Sequence, residues 1–324
     1  RCFSTVRLRF PFTSDRSMTV LKHLGLFAFF VCGASQRLVI KNACETEPLW
    51  VAHIAGSGVG PDVQNLKIAA GQSFTFQTPD NLQATRYWPK MRCNSQGNQC
   101  QLGGSGGPQQ LCDETVGCAP PVDTKFEATF GQKALQCNPQ QEEYTGCDYI
   151  DVSMVDGWTL PFKFEVAGNC SSSAGSMQHF SVDCSKLSVE NCPSAESVPG
   201  VGNLDLHLKH PTTGQISGCY SPCSKLTLRN WNNTLAMSHI PRDALAAPYC
   251  CPTPPESPAA CRTGPVKSTQ YVEAVHRLCP GVYGYSYDDG VGLLTCSANS
   301  IYTMSFFCPE SEEKPAEAVA ELVV

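Results

Sequence analysis

Charge is scarce in this chain of 324 residues: Asp, Glu, Lys and Arg make up 16% of it, with 29 acidic residues against 23 basic ones. An acidic chain has no electrostatic footprint for nucleic acid or for an anionic membrane, which excludes both as partners held by charge. Long apolar runs are also missing after residue 35, where no stretch reaches the ~20 residues of a membrane helix. The seven histidines show no metal or triad spacing. Ser153 has no Gly-x-Ser-x-Gly elbow around it, which argues against a serine hydrolase. No cofactor or metal is expected.

Cysteine is abundant, with twenty residues. Thiols at this density persist as pairs only where they can oxidise, so the chain is expected to be secreted and extracellular. The N-terminus agrees: Met18 to His23 is a short basic lead, Leu24 to Cys32 an apolar run, and Gly33-Ala34-Ser35 a small-residue cleavage site, so residues 1–35 read as an upstream segment and signal peptide. Removing them takes away Cys2 and Cys32 and leaves eighteen cysteines, with 18 basic and 28 acidic residues for a net charge of −10. The spacing of Cys219 and Cys223 also fits a zinc pair, but complementary cysteine partners in a secreted chain favour disulfides. Beyond Cys308, residues 310–324 open on the acidic run Glu310-Ser311-Glu312-Glu313 and read as a disordered tail.

Between these ends, short alternating runs separated by Gly, Pro, Asn and Ser predict strands at 37–42, 73–77, 126–130, 149–155, 161–166 and 301–306. Many short strands with turn signals indicate a mainly β sandwich or barrel. From Cys170 to Cys279 the texture changes to cysteine, proline and serine, with one helix expected at Thr269–Arg277. The expected organisation of 36–309 is a sandwich (37–90, 122–183, 280–309), a small disulfide loop domain (91–121) and a disulfide-rich, helix-bearing subdomain (184–279).

Four features, taken in order, carry a family resemblance. They are Tyr149-Ile150-Asp151-Val152-Ser153-Met154-Val155-Asp156-Gly157, the adjacent Cys250-Cys251, the segment Cys279 to Asp289 beginning Cys-Pro-Gly-Val-Tyr-Gly, and Phe307-Cys308-Pro309. From about Arg37 to Pro309 the chain resembles the thaumatin-like proteins, the family of osmotins and group-five pathogenesis-related proteins. The resemblance implies the thaumatin-like β-sandwich and eight bridges: Cys44 with Cys308, Cys93 with Cys100, Cys112 with Cys118, Cys170 with Cys296, Cys184 with Cys279, Cys192 with Cys219, Cys223 with Cys250, and Cys251 with Cys261. Cys137 and Cys147 remain, and a ninth, local bridge is expected between them.

The resemblance also implies an acidic cleft lined by one arginine, one glutamate and three aspartates. Motif by motif these fall on Glu127, Asp151, Asp156 and either Asp288 or Asp289, while Lys90, two residues after Trp88, takes the arginine's place at the cleft edge. A lysine there offers a point charge where arginine would offer a bidentate fork. Crowded carboxylates suit glycoside hydrolysis, because like charges raise one pKa enough to keep an acid protonated beside an ionised partner. Glu127 is the expected acid and Asp156 the expected base. A spacing of about 5–5.5 Å would indicate retention, and roughly 6.5–9.5 Å inversion. Trp158 is either a sugar-stacking platform or core.

The resemblance implies binding of β-1,3-glucan or another cell-wall carbohydrate in a defence or wall-related role, including antifungal defence, with weak endo-β-1,3-glucanase-like hydrolysis in some members. The alternative is a noncatalytic interaction protein that binds a partner protein or permeabilises foreign membranes. A monomer without stable membrane insertion is expected. Asn232-Asn233-Thr234 and Asn169-Cys170-Ser171 fit the glycosylation sequon, with Asn232 favoured because a bridged cysteine occupies the other. Two stretches, Ser224 to Tyr249 and Ser197 to Ser217, are longer than the family pattern.

Overall fold

The computed structural model describes residues 35–104, 111–113, 117–118, 122–139, 146–229 and 231–309. The expected acidic tail and all but the last residue of the expected leader lie outside the described residues.

In chain order the strands are β1 (Leu38–Asn42), β2 (Leu49–Ile54), β3 (Leu66–Ile68), β4 (Ser73–Phe76), β5 (Thr85–Met91), β6 (Lys125–Thr129), β7 (Cys147–Ser153), β8 (Gly157–Trp158), β9 (Phe162–Ser172), β10 (Gly175–Cys184), β11 (Glu196–Val198), β12 (Gly202–Leu204), β13 (His207–Lys209), β14 (Ile216–Tyr220), β15 (Leu294–Ser297) and β16 (Ile301–Phe306). The helices are α1 (Pro222–Thr227), α2 (Ala247–Cys250), α3 (Pro258–Thr263), α4 (Gln270–Leu278) and α5 (Asp289–Gly292). Alternation explains many of the strands. In β1, Leu38, Ile40 and Asn42 are buried while Lys41 is exposed, as a pleat with one face on a core requires.

Eleven strands form one ladder in the order β3-β2-β5-β6-β7-β15-β9-β16-β1-β4, with β10 added on β9. β1 runs parallel to β16, and the other pairings of this sheet are antiparallel. The ladder folds over its own apolar face. Phe126 of β6 meets Phe164 of β9 at 5.8 Å and Tyr302 of β16 at 6.0 Å between ring centroids, although these strands lie several places apart in the order. Phe76 of the edge strand β4 likewise meets Tyr87 of β5 at 5.1 Å. The mainly β, two-layered core expected from the sequence is therefore present.

Arg37, just before β1, acts as a fully buried clasp. Its guanidinium donates to Asp148 Oδ1 at 2.7 Å, to the carbonyls of Thr78, Gly131 and Ala298, and to Asp80. Tyr302 donates to the other oxygen of Asp148 at 2.8 Å, so one ionic network ties both layers together.

Between Ser185 and Leu278 lie four helices and two small sheets, β11-β12 and β13-β14-β8. The last sheet draws β8 out of the span expected to belong to the sandwich. Gly157 permits this pairing: its φ is +142°, and a Cβ there would lie 2.1 Å from the Cys219 carbonyl. The amphipathic helix α4 starts at Thr269, whose hydroxyl accepts from Val272 N, and it buries Tyr271, Val272, Ala274 and Val275. Tyr271 stacks on Trp158 at 5.0 Å and donates to the Met154 carbonyl at 2.5 Å, which docks the subdomain on the sheet. The two lengthened stretches pack mostly into the main core, through Val198, Leu204, Leu206, Leu226, Ala246 and Tyr249, while Leu208, Leu228 and Trp231 join Tyr220 and Val122 in a small satellite core.

Among the described residues nine disulfides form: Cys44–Cys308, Cys93–Cys100, Cys112–Cys118, Cys137–Cys147, Cys170–Cys296, Cys184–Cys279, Cys192–Cys219, Cys223–Cys250 and Cys251–Cys261. Cys219 and Cys223, spaced as for zinc, sit in two different bridges. Among the described residues no helix is long and apolar enough to cross a membrane.

Candidate functional site

Three adjacent strands build the site. Arg86 of β5 stands opposite Glu127 of β6, and Glu127 opposite Asp151 of β7. Directly paired residues point to the same face of a sheet, so the three side chains form one row on the outer face. Arg86 Nε lies 3.4 Å from Glu127 Oε1, in a half-exposed pair. Ala84, Thr129, Tyr149 and Leu293 complete an open depression of about 190 Å³ around them.

Asp151 carries the unusual electrostatics. Burial raises its pKa well above the ordinary carboxylate value, the neighbouring Glu127 carboxylate raises it further, the Arg86 guanidinium pulls it down, and Asp289 adds a smaller upward push. Asp289 enters from α5. Its carboxylate accepts from Arg262 of α3 at 2.5 Å and from the Tyr283 hydroxyl at 2.9 Å, so the stapled subdomain holds this aspartate in place.

The other sequence candidates occupy different environments. Asp288 is buried and engaged, accepting from the Gly284 amide at 3.0 Å and lying 2.7 Å from His276 Nε2; of the two adjacent aspartates, Asp289 is the one that acts on Asp151. Asp156 is half-exposed and paired with Lys125 at 2.7 Å; Lys125 sits two residues before Glu127 on the same face of β6.

Lys90 needs a correction. It is buried, with its ammonium donating to Asn65 Oδ1 at 2.5 Å and lying 3.7 Å from Cys112 Sγ, and burial lowers its pKa to about 7. It stands opposite Trp50, four residues along β5 from Arg86, so the arginine of the row is Arg86. Trp158 is core: fully buried, stacked on Tyr271, with its indole donating to the Ser188 carbonyl. Asn232 and Asn169 are both exposed. Among the described residues no group of three or more His, Cys, Asp or Glu side chains is placed to hold a metal.

Sequence reasoning missed Arg86, Arg262, Tyr283 and Lys125. Strand alternation in Thr85-Arg86-Tyr87-Trp88-Pro89-Lys90 puts Arg86 on the same face as Lys90, so that signal was present but could not choose between them.

Residues 42–309 match the model of the Thaumatin family. The chain belongs to the thaumatin family. A relative from Arabidopsis thaliana, Thaumatin-like protein 1, is 27% identical over 301 residues, covering 90% of this chain and 93% of the relative. A Prunus avium relative named Glucan endo-1,3-beta-glucosidase is 26% identical, covering 75% of this chain and 78% of its own. Pathogenesis-related thaumatin-like protein 3.5 of Cryptomeria japonica is 26% identical, covering 91% and 98%. Among solved structures, a laminaripentaose-producing β-1,3-glucanase in complex with laminaritetraose aligns at 11% identity and a TM-score of 0.47, over 85% of this chain and 99% of that one.

Proposed function

We propose that this thaumatin-family chain is an extracellular protein that binds β-1,3-glucan at the row of Arg86, Glu127, Asp151 and Asp289. The observation that carries the reading is the raised pKa of Asp151 beside a carboxylate clasped by an arginine. Such a row offers a carboxyl that holds its proton more tightly than an ordinary one, a carboxylate that accepts and a guanidinium that donates, a set matched to sugar hydroxyls. The relative named for endo-1,3-β-glucosidase activity supports glucan as the sugar.

Catalysis asks more of the same groups. An acid must protonate the leaving oxygen, and Asp151 suits that role better than Glu127, because its burial and its like-charged neighbours hold the proton. The depression of about 190 Å³ is open and smaller than the ~300–1,000 Å³ of enclosed ligand sites, so it would not exclude water from a bound sugar, which favours retention over turnover.

Laminarin affinity and reducing-end release test the reading together. Glu127→Ala should weaken retention about tenfold, the loss of one charge-assisted hydrogen bond. Asp151→Asn should stop any release of reducing ends while retention persists. Laminarin that passes the wild-type protein unretarded would remove the reading. The extracellular part is checked by N-terminal sequencing of protein recovered from culture medium, which should begin near Gln36.

A further inference from the structure

The acidic row ends at a second hollow on the same face of the sheet. Tyr149 and Leu293 line the acidic depression, and Thr295, two residues beyond Leu293 and directly opposite Tyr149, lines the next one. Thr295 stands opposite Ser171 of β9, and Ser171 opposite Ser176 of β10. The surface therefore runs without interruption across β5, β6, β7, β15, β9 and β10, five strand spacings or roughly 24 Å.

This second hollow is a trough of about 650 Å³. Its lining differs in kind from the acidic row. None of the described residues that line it is charged, and four of them are exposed amides: Gln136, Asn169, Gln178 and Asn299. A side-chain amide carries both donors and acceptors, so it can pair with a hydroxyl in either sense, and a neutral lining imposes no desolvation cost of charge on an uncharged ligand.

Two disulfides brace the trough. Cys170, bridged to Cys296, lines it, and Cys137, bridged to Cys147, holds the segment bearing Gln136. A bulge shapes it: Gly168 and Asn169 of β9 stand against the single residue Gln178 of β10, between the pairs Met177–Cys170 and His179–Ala167. Bulges of this kind re-aim side chains, and here they re-aim two of the four amides.

We propose that this trough is a second, uncharged carbohydrate subsite that receives the continuation of a glucan chain held at the acidic row. The proposal rests on the reading of that row as a glucan site. The acidic row then fixes one end of the chain, and the trough gives the protein a preference for length. Asn169 lies in a glycosylation sequon, and a glycan attached there would fill the same space, so the test uses protein freed of N-linked glycans.

Calorimetric titration with laminaritriose and laminarihexaose decides the matter, on the wild type and on the double variant Gln178→Ala/Asn299→Ala. The wild type should bind the hexaose about tenfold more tightly than the triose, the factor expected of one or two net hydrogen bonds. The double variant should bind both alike while its affinity for the triose is unchanged, which also verifies that the acidic row is intact. A wild type that binds triose and hexaose equally, or a variant that keeps the full preference, overturns the trough and leaves the acidic row standing. Failure of the wild type to bind either sugar overturns both.

Discussion

The large sheet and the segment from Ser185 to Leu278 share one apolar core but differ in what else holds them. The large sheet has a continuous apolar core and the Arg37–Asp148 clasp at its centre. The segment from Ser185 to Leu278 consists of strands of three to five residues and helices of four to nine, each too short to persist alone. Three bridges lie within that segment, and a fourth, Cys184–Cys279, joins it to the end of β10. The same apolar core continues into this segment through Leu206, Leu226, Val266, Tyr271 and Val275, so burial serves both parts and the second adds covalent closure to elements too short to hold by themselves. The site takes Arg86, Glu127 and Asp151 from the first, while Arg262 of the second clasps Asp289, the carboxylate that acts on Asp151 from α5.

The largest expected effect lies in the sheet. Arg37→Ala leaves Asp148 buried without its cation and should cost about 3–5 kcal/mol, read as a lowered midpoint in urea. A loss below about 1 kcal/mol would mean that the clasp is not what unites the two layers.

Replacing the Cys251–Cys261 bridge by serines should cost somewhat under ~3 kcal/mol in the chain-entropy picture for a loop of ten residues. Its consequence should be local. Arg262 follows Cys261 directly and clasps Asp289, so laminarin affinity should fall several-fold while the sheet's amides keep their protection from hydrogen exchange. Uniform loss of protection across the sheet would break the proposed division between the two parts.

The smallest effect concerns pH. The Asp151 carboxyl has a folded pKa above the unfolded value of about 3.9, so its contribution to stability is complete below that value and is lost as pH rises through the folded one. Asn stays neutral throughout. Asp151→Asn should therefore be more stable than the wild type at about pH 7, by ~1 kcal/mol, the worth of roughly one pKa unit, and the two should converge below about pH 4. Equal stability at both pH values would show that Asp151 is not crowded.

Local pattern and cysteine content, read from the sequence, determined the mainly β class, the strands β1, β4, β6, β7, β9 and β16, the helix α4, and the contrast between an alternating part and a stapled part. These follow from residue periodicity and composition, which act over a few residues. The acidic residues of the site were visible as residues, but their roles were not. Arg86 and Lys90 share one face of β5, so alternation could not separate them; the neighbouring strands did, by setting Glu127 opposite Arg86 and Trp50 opposite Lys90. Asp288 and Asp289 are adjacent in sequence, and the packing of α5 against His276, Tyr283 and Arg262 sent one into the interior and the other toward Asp151. The same holds for Trp158, which α4 covers with Tyr271 from more than a hundred residues away. Register and packing between distant segments decide which side chains meet, and that is set by the closure of the whole core and not by any short stretch of the chain.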